Sequence, residues 1–272
     1  MIFFLKIATF FHQTISHHFK YRNIASAAAL AYYTLFALAP LLLILLTIFG
    51  TFISDPSIRI DLLNQLSKSI DPSISQLVIH ILENVENQQK IGIARIVGIV
   101  VLTFAVGNLI GYLHQSLNSI FETNTSKKGV AKVVQIHLFS WFLMIFFGFL
   151  WVLSLIFEII VQWISQRWIN IPNLLVEFGG FILVVVFLTA LFRVLVIQKI
   201  EWKNLILGAF FTGIVLRIAR LFFNWYLATS DLASAYGAAA SLIAFLVWLY
   251  ISAQVLFLGA SFIYTLQKNT QQ

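Results

Sequence analysis

The chain has no cysteine, only ten acidic residues and only four prolines among its 272 residues. Without thiols there can be no disulfide framework, iron–sulfur cluster or thiolate zinc site. With so few carboxylates there is little from which to build the paired acids that hold catalytic metals. Scarce proline leaves long stretches in which nothing interrupts a helix. The basic residues outnumber the acids by 17 to 10, for a formal net charge of +7. They flank apolar stretches and form no Lys/Arg-rich block, so nucleic acid is not an expected partner. No GxxxxGK[ST] phosphate loop and no HExxH or HxHxD-like motif occurs, so no ATP-driven cycle, catalytic metal or cofactor is expected of this chain.

What is abundant is apolar surface. Hydrophobic residues make up 60% of the chain and charged ones 10%, with a mean hydropathy of +0.93. This predicts an all-α polytopic membrane bundle. The organising stretch is Ala25 to Ile53, ASAAALAYYTLFALAPLLLILLTIFGTFI, 29 residues without a charge. At about 1.5 Å of rise per residue, it can cross a hydrocarbon core about 30 Å thick. Ala25, Ala28, Ala29 and Ala31 leave its first turns nearly bare, so neighbouring backbones can approach closely. Pro40 removes a donor and crowds the carbonyl of Phe36, which predicts a kink near mid-membrane, read more simply as packing than as a binding-site break. Five further spans are predicted at 91–113, 136–162, 174–197, 205–228 and 236–266. The chain, 1–272, then reads as one integral membrane domain.

Two amphipathic regions flank the first span. In 1–24, Phe3, Phe4, Ile7, Phe10, Phe11, Ile15 and Phe19 alternate with Lys6, His12, Gln13, His17, His18 and Lys20, the pattern of a helix lying in the interface. His12, His17 and His18 have no acidic neighbour in sequence and read as interfacial polar groups rather than metal ligands. The segment lacks a basic region before its apolar part and a small-residue cleavage site, so it does not read as a cleaved signal. In 54–90, Asp71-Pro72 starts a helix, and Ile74, Leu77, Val78, Ile81, Leu82 and Val85 form its apolar face. A small extracytoplasmic helical cap is predicted there, with His80 and Glu83 on its solvated face.

Six spans put both termini on one side. Lys6, Lys20, Arg22, Lys127, Lys128, Lys132, Lys199, Lys203 and Lys268 fall on that side, against Arg59, Lys68, Lys90 and Arg167 on the other. The positive-inside rule therefore predicts cytoplasmic termini, and loop lysines beside anionic membrane lipids.

Ionisable groups inside spans cost about 2.5–3.5 kcal/mol each at a helix centre on insertion scales, so each requires a reason. In the fifth span Gly213, Arg217, Arg220 and Asn224 share one stripe. Glu158 in the third span, Glu177 in the fourth and Arg95 in the second are its candidate partners. We expect a polar cluster of Arg95, Glu158, Glu177 and Arg220, with Arg217 deeper. Such charges can simply pair and fix helix register. A cavity lined by two arginines would instead suit a carboxylate, a phosphate or an anionic lipid headgroup.

Three stretches together resemble the YihY/BrkB family of bacterial inner-membrane proteins, formerly described as ribonuclease BN. They are ASAAALAYYTLFALAPLL; GYLHQSLNSIFE from Gly111 to Glu122, with His114, Gln115 and Asn118; and AYGAAASLIAFLVWLYISAQVLFLGAS from Ala235 to Ser261, with Gln254. Ser261 stands where the family commonly has Glu. The resemblance implies six transmembrane helices, a multi-pass location in the bacterial cytoplasmic membrane, and a general link to virulence and envelope lipid biology. Scarce carboxylates and short inner loops argue against ribonuclease activity, and no enzyme is expected. The leading expectation is a transporter or lipid-handling protein with a polar cavity for an anionic solute or headgroup. The rival is a noncatalytic membrane scaffold for envelope assembly, which small-residue helix faces also suit.

Overall fold

The computed structural model describes residues 2–21, 23–52, 91–123, 173–230 and 239–270. These form six helices and, among the described residues, no strand: α1 (Ile2–Lys20), α2 (Asn23–Phe52), α3 (Ile91–Ile120), α4 (Asn173–Leu195), α5 (Trp202–Thr229) and α6 (Ala240–Thr270). Among the described residues α4, α5 and α6 each carry a stretch long and apolar enough to cross a membrane. The predicted third span and the 54–90 cap lie outside the described residues. So does the Pro40 side chain, although α2 continues through that position as one helix.

Two boundaries differ from expectation. α3 runs past Leu113 to Ile120, because Leu117 and Ile120 are fully buried and continue its packed face. α6 likewise runs past Leu266 to Thr270, with Gln267 buried on its last turns.

Lipid tails are as apolar as leucine, so close packing and polar ties, rather than hydrophobic burial, must hold membrane helices together. The α5–α6 pair illustrates both. Asn204 Nδ2 donates to Gln267 Oε1 at 2.8 Å. One turn on, Gly208 sits so close against Ile263 that an added Cβ would collide with Cγ1. A further turn on, Gly259 faces Thr212, where an added Cβ would collide with Oγ1. Phe223 and Trp248 meet beyond, with ring centroids 5.2 Å apart. Each advance on α5 is matched by an equal retreat on α6, so the two run antiparallel in one constant register. Two glycines, one per helix, make the close approach possible.

α1 lies across the second half of α6, and its orientation departs from the simple amphipathic reading. Phe11, Ile15 and Phe19 are exposed, whereas Thr14 and His18 are buried. In lipid the apolar stripe needs no protein partner, so the side with bonding groups turns inward.

Candidate functional site

Among the described residues, polar contacts between helices gather at the end of the bundle where α1, the ends of α3 and α6, and the α4–α5 connection meet. Asn118, near the end of α3, is fully buried. Its Nδ2 donates to Leu195 O at 2.8 Å and to His114 O at 2.7 Å, and its Oδ1 accepts from Ile197 N at 2.8 Å. One side chain thus serves a carbonyl at the end of α4 and the N–H beyond it, groups that a helix terminus leaves without partners. Nearby, Arg193 donates to Ile200 O at 3.1 Å and lies over the Trp202 ring, closing the same connection.

A second tie joins α1 to α6. His18 Nε2 is 3.1 Å from Gln254 Oε1, and His18 Nδ1 is 3.1 Å from Asn23 Nδ2. Gln254 Nε2 is also 3.2 Å from the Tyr250 hydroxyl. The consistent assignment is a neutral imidazole that donates from Nε2 and accepts at Nδ1. Burial pushes His18 below its ordinary value, against the opposing hydrogen bond to Gln254.

The third group surrounds Glu122. This residue follows α3 in the left-handed region (φ 54°), a cap position usually held by glycine. Its carboxylate accepts the Tyr21 hydroxyl at 2.5 Å, lies 3.4 Å from Lys20 Nζ, and accepts the Tyr264 hydroxyl. The bonds from Tyr21 and Tyr264, with Lys20 beside them, hold Glu122 at about 2, and it is ionised at any physiological pH. His17 stacks on Tyr264, with ring centroids 4.1 Å apart. Burial lowers His17 to about 4, opposed by Glu122 and assisted by Lys20, Lys268 and His18.

The residues singled out from the sequence divide sharply. Asn118 and Gln254 prove to be ties between helices, and His114 contributes a carbonyl to Asn118. Gln115 is exposed. Ser261 is fully buried and donates to Phe257 O at 3.0 Å, so at this position a hydroxyl is satisfied within its own helix. Arg217, Arg220 and Asn224 are all exposed. The Arg217 guanidinium lies 5.7 Å from the Phe181 ring centroid on α4, the ring that also packs on Gly213. Glu158 and the side chains of Arg95 and Glu177 lie outside the described residues. Among the described residues no group of three or more His, Cys, Asp and Glu could hold a metal.

The Glu122 cluster was not anticipated from the sequence. Glu122 closes the GYLHQSLNSIFE stretch, and a carboxylate in a chain with only ten acids is a signal in itself. Its partners Tyr21 and Tyr264, however, come from the two ends of the chain.

An all-helical membrane chain with such a polar bundle end defines the class. A profile of the virulence factor BrkB family matches residues 16–272, and the chain belongs to that family. A UPF0761 membrane protein of Haemophilus influenzae is 26% identical over 248 residues, covering 90% of each chain. One from Glaesserella parasuis is 28% identical over 194 residues, covering 70% of this chain and 67% of its own. Another, from Actinobacillus pleuropneumoniae, is 25% identical over 254 residues, covering 92% and 90%. No solved structure matches.

Proposed function

We propose that this chain is a transporter or lipid-handling protein of the bacterial inner membrane, with cytoplasmic termini, that moves or binds an anionic solute or headgroup along the polar face of α5. The observation that carries the reading is that Arg217, Arg220 and Asn224 are exposed on an apolar crossing helix. At about 100° per residue the three fall within an arc of about 60°, while Ile218, Phe222 and Trp225 point well away from it. A helix with one polar and one apolar face inside a membrane suits a water-filled path on one side and lipid on the other. The Phe181 contact turns the polar face toward α4. In that antiparallel pair, Phe181 of α4 packs on both Gly213 and Arg217. The function requires no bond chemistry.

The test compares wild type with Arg217→Ala plus Arg220→Ala in vesicles, at equal amounts of folded protein, by binding and movement of a fluorescent anionic phospholipid. Saturable binding or movement lost in the double variant is the expected result. No activity in either protein would turn the reading toward the scaffold.

A further inference from the structure

The polar bundle end also holds a cleft of about 380 Å³ between α1 and the last turns of α6. Lys20 and Lys268 bring two ammonium groups to it, and His12, Gln13, Ser16 and Asn269 add further hydrogen-bonding groups. Among the described residues, no acid lines it. The nearby carboxylate of Glu122 is already occupied by two tyrosine hydroxyls and Lys20. Along α1, the cleft side (His12, Gln13, Ser16, Lys20) and the exposed apolar stripe (Phe11, Ile15, Phe19) are adjacent faces of one helix. A ligand seated in the cleft therefore meets cations and donors at one end and an apolar rail immediately beside them. That is the pattern of an amphiphile with an anionic head, since interfacial helices place their apolar stripe at the boundary with the acyl chains.

We propose that the α1–α6 cleft is a specific site for one phosphate-bearing lipid, the phosphate between Lys20 and Lys268 and an acyl chain along Phe11, Ile15 and Phe19. The site is separate from the α5 stripe and does not depend on the transport reading. A single diester headgroup fits the volume, and the fixed Glu122 network holds Lys20 at its rim. Lysine supplies point charge rather than a planar fork, so the site selects anionic over zwitterionic heads rather than one diester over another.

The experiment is native mass spectrometry of the full chain with phosphatidylglycerol, phosphatidylcholine or inorganic phosphate added. Wild type is expected to retain one phosphatidylglycerol in preference to phosphatidylcholine. Lys268→Gln should weaken that retention about fivefold, and Lys20→Gln plus Lys268→Gln more, as expected for loss of basic residues at an anionic surface. Lys199→Gln plus Lys203→Gln, which removes two exposed lysines outside the cleft, should leave it unchanged. The apolar rail is probed by Ile15→Ser, which should weaken retention of the lipid without restoring phosphatidylcholine. Equal loss in the two lysine pairs would overturn the proposal, as would a lack of headgroup preference. Retention of inorganic phosphate but not of the lipid, sensitive to Lys268→Gln, would overturn the lipid assignment. Because Lys20 also touches Glu122, the Lys268→Gln variant alone decides if the double variant fails to fold.

Discussion

The two halves of α5 treat polar side chains in opposite ways. From Asn204 to Gly213 the face toward α6 is buried: Asn204 bonds Gln267, Gly208 admits Ile263, and Thr212 fills the space beside Gly259. From Arg217 to Asn224 the polar side chains are exposed. Both halves sit on the same apolar helix, so composition does not distinguish them. What distinguishes them is where the polar atoms find their partners. Bonds made inside the bundle hold its helices together, as Asn118 and the His18–Gln254 pair also do. Exposed arginines on so apolar a helix call for a polar surrounding.

The sharpest break of this comparison is at the assembly end. Asn118→Ala should destabilise the protein by about 2–4 kcal/mol, because it leaves the buried Leu195 carbonyl and Ile197 amide without partners. Thermal or denaturant unfolding in detergent would read it. Next is Gly259→Ala, which drives a methyl into Thr212 and should cost about 1–3 kcal/mol. Adding Thr212→Ala should recover much of that loss, and no recovery would mean that the helices are not held at this crossing.

A smaller effect concerns α1. His17 has a folded value of about 4 against an ordinary 6.5, so below pH 6.5 the unfolded chain takes up the proton first. The docking of α1 is therefore strongest above pH 6.5 and weakens as pH falls toward 4. His18, also lowered, adds to this in the same direction. Glu122 acts in a lower window: its contribution is complete above about 4.5 and is lost as pH falls toward 2. Hydrogen exchange of α1 amides across pH 7.5 to 2.5 should show this loosening; Glu122→Gln should remove the part below about pH 4.5 and, by taking away the charge that raises His17, should also move the His17 part to lower pH. Smallest is the stability effect of Arg217→Ala plus Arg220→Ala, expected within about 0.5 kcal/mol for exposed positions. A large loss would place these arginines among the assembly residues.

Apolar runs were legible in the sequence because a charge in a span is costly and its absence is conspicuous. That logic gave α2, α4 and α5 to within a few residues. It cut α3 short, because His114, Gln115 and Asn118 read as the end of a span when they are the helix's polar, partly buried last turns. For α1 it gave an interfacial helix, in which Phe11, Ile15 and Phe19 are exposed, but not the inward turn of Thr14 and His18. Asn118 was visible as a residue while its task was not, since its bonds reach 77 and 79 positions along the chain. The His18–Gln254 pair spans 236 positions, beyond any local pattern. That Arg217, Arg220 and Asn224 share one side of α5 was legible, because a 3.6-residue period is a local property; the expected cluster with Arg95, Glu158 and Glu177 lies outside the described residues.

The central claim is that the exposed stripe of Arg217, Arg220 and Asn224 on α5 faces water while the exposed apolar residues around Phe222 face lipid. Because the natural chain has no cysteine, single variants Arg217→Cys, Arg220→Cys, Asn224→Cys and Phe222→Cys can each be probed with a membrane-impermeant charged maleimide in sealed and opened vesicles. Rapid labelling at 217, 220 and 224 with slow labelling at 222 is the predicted result. Labelling at the three stripe positions as slow as at 222 would contradict the account.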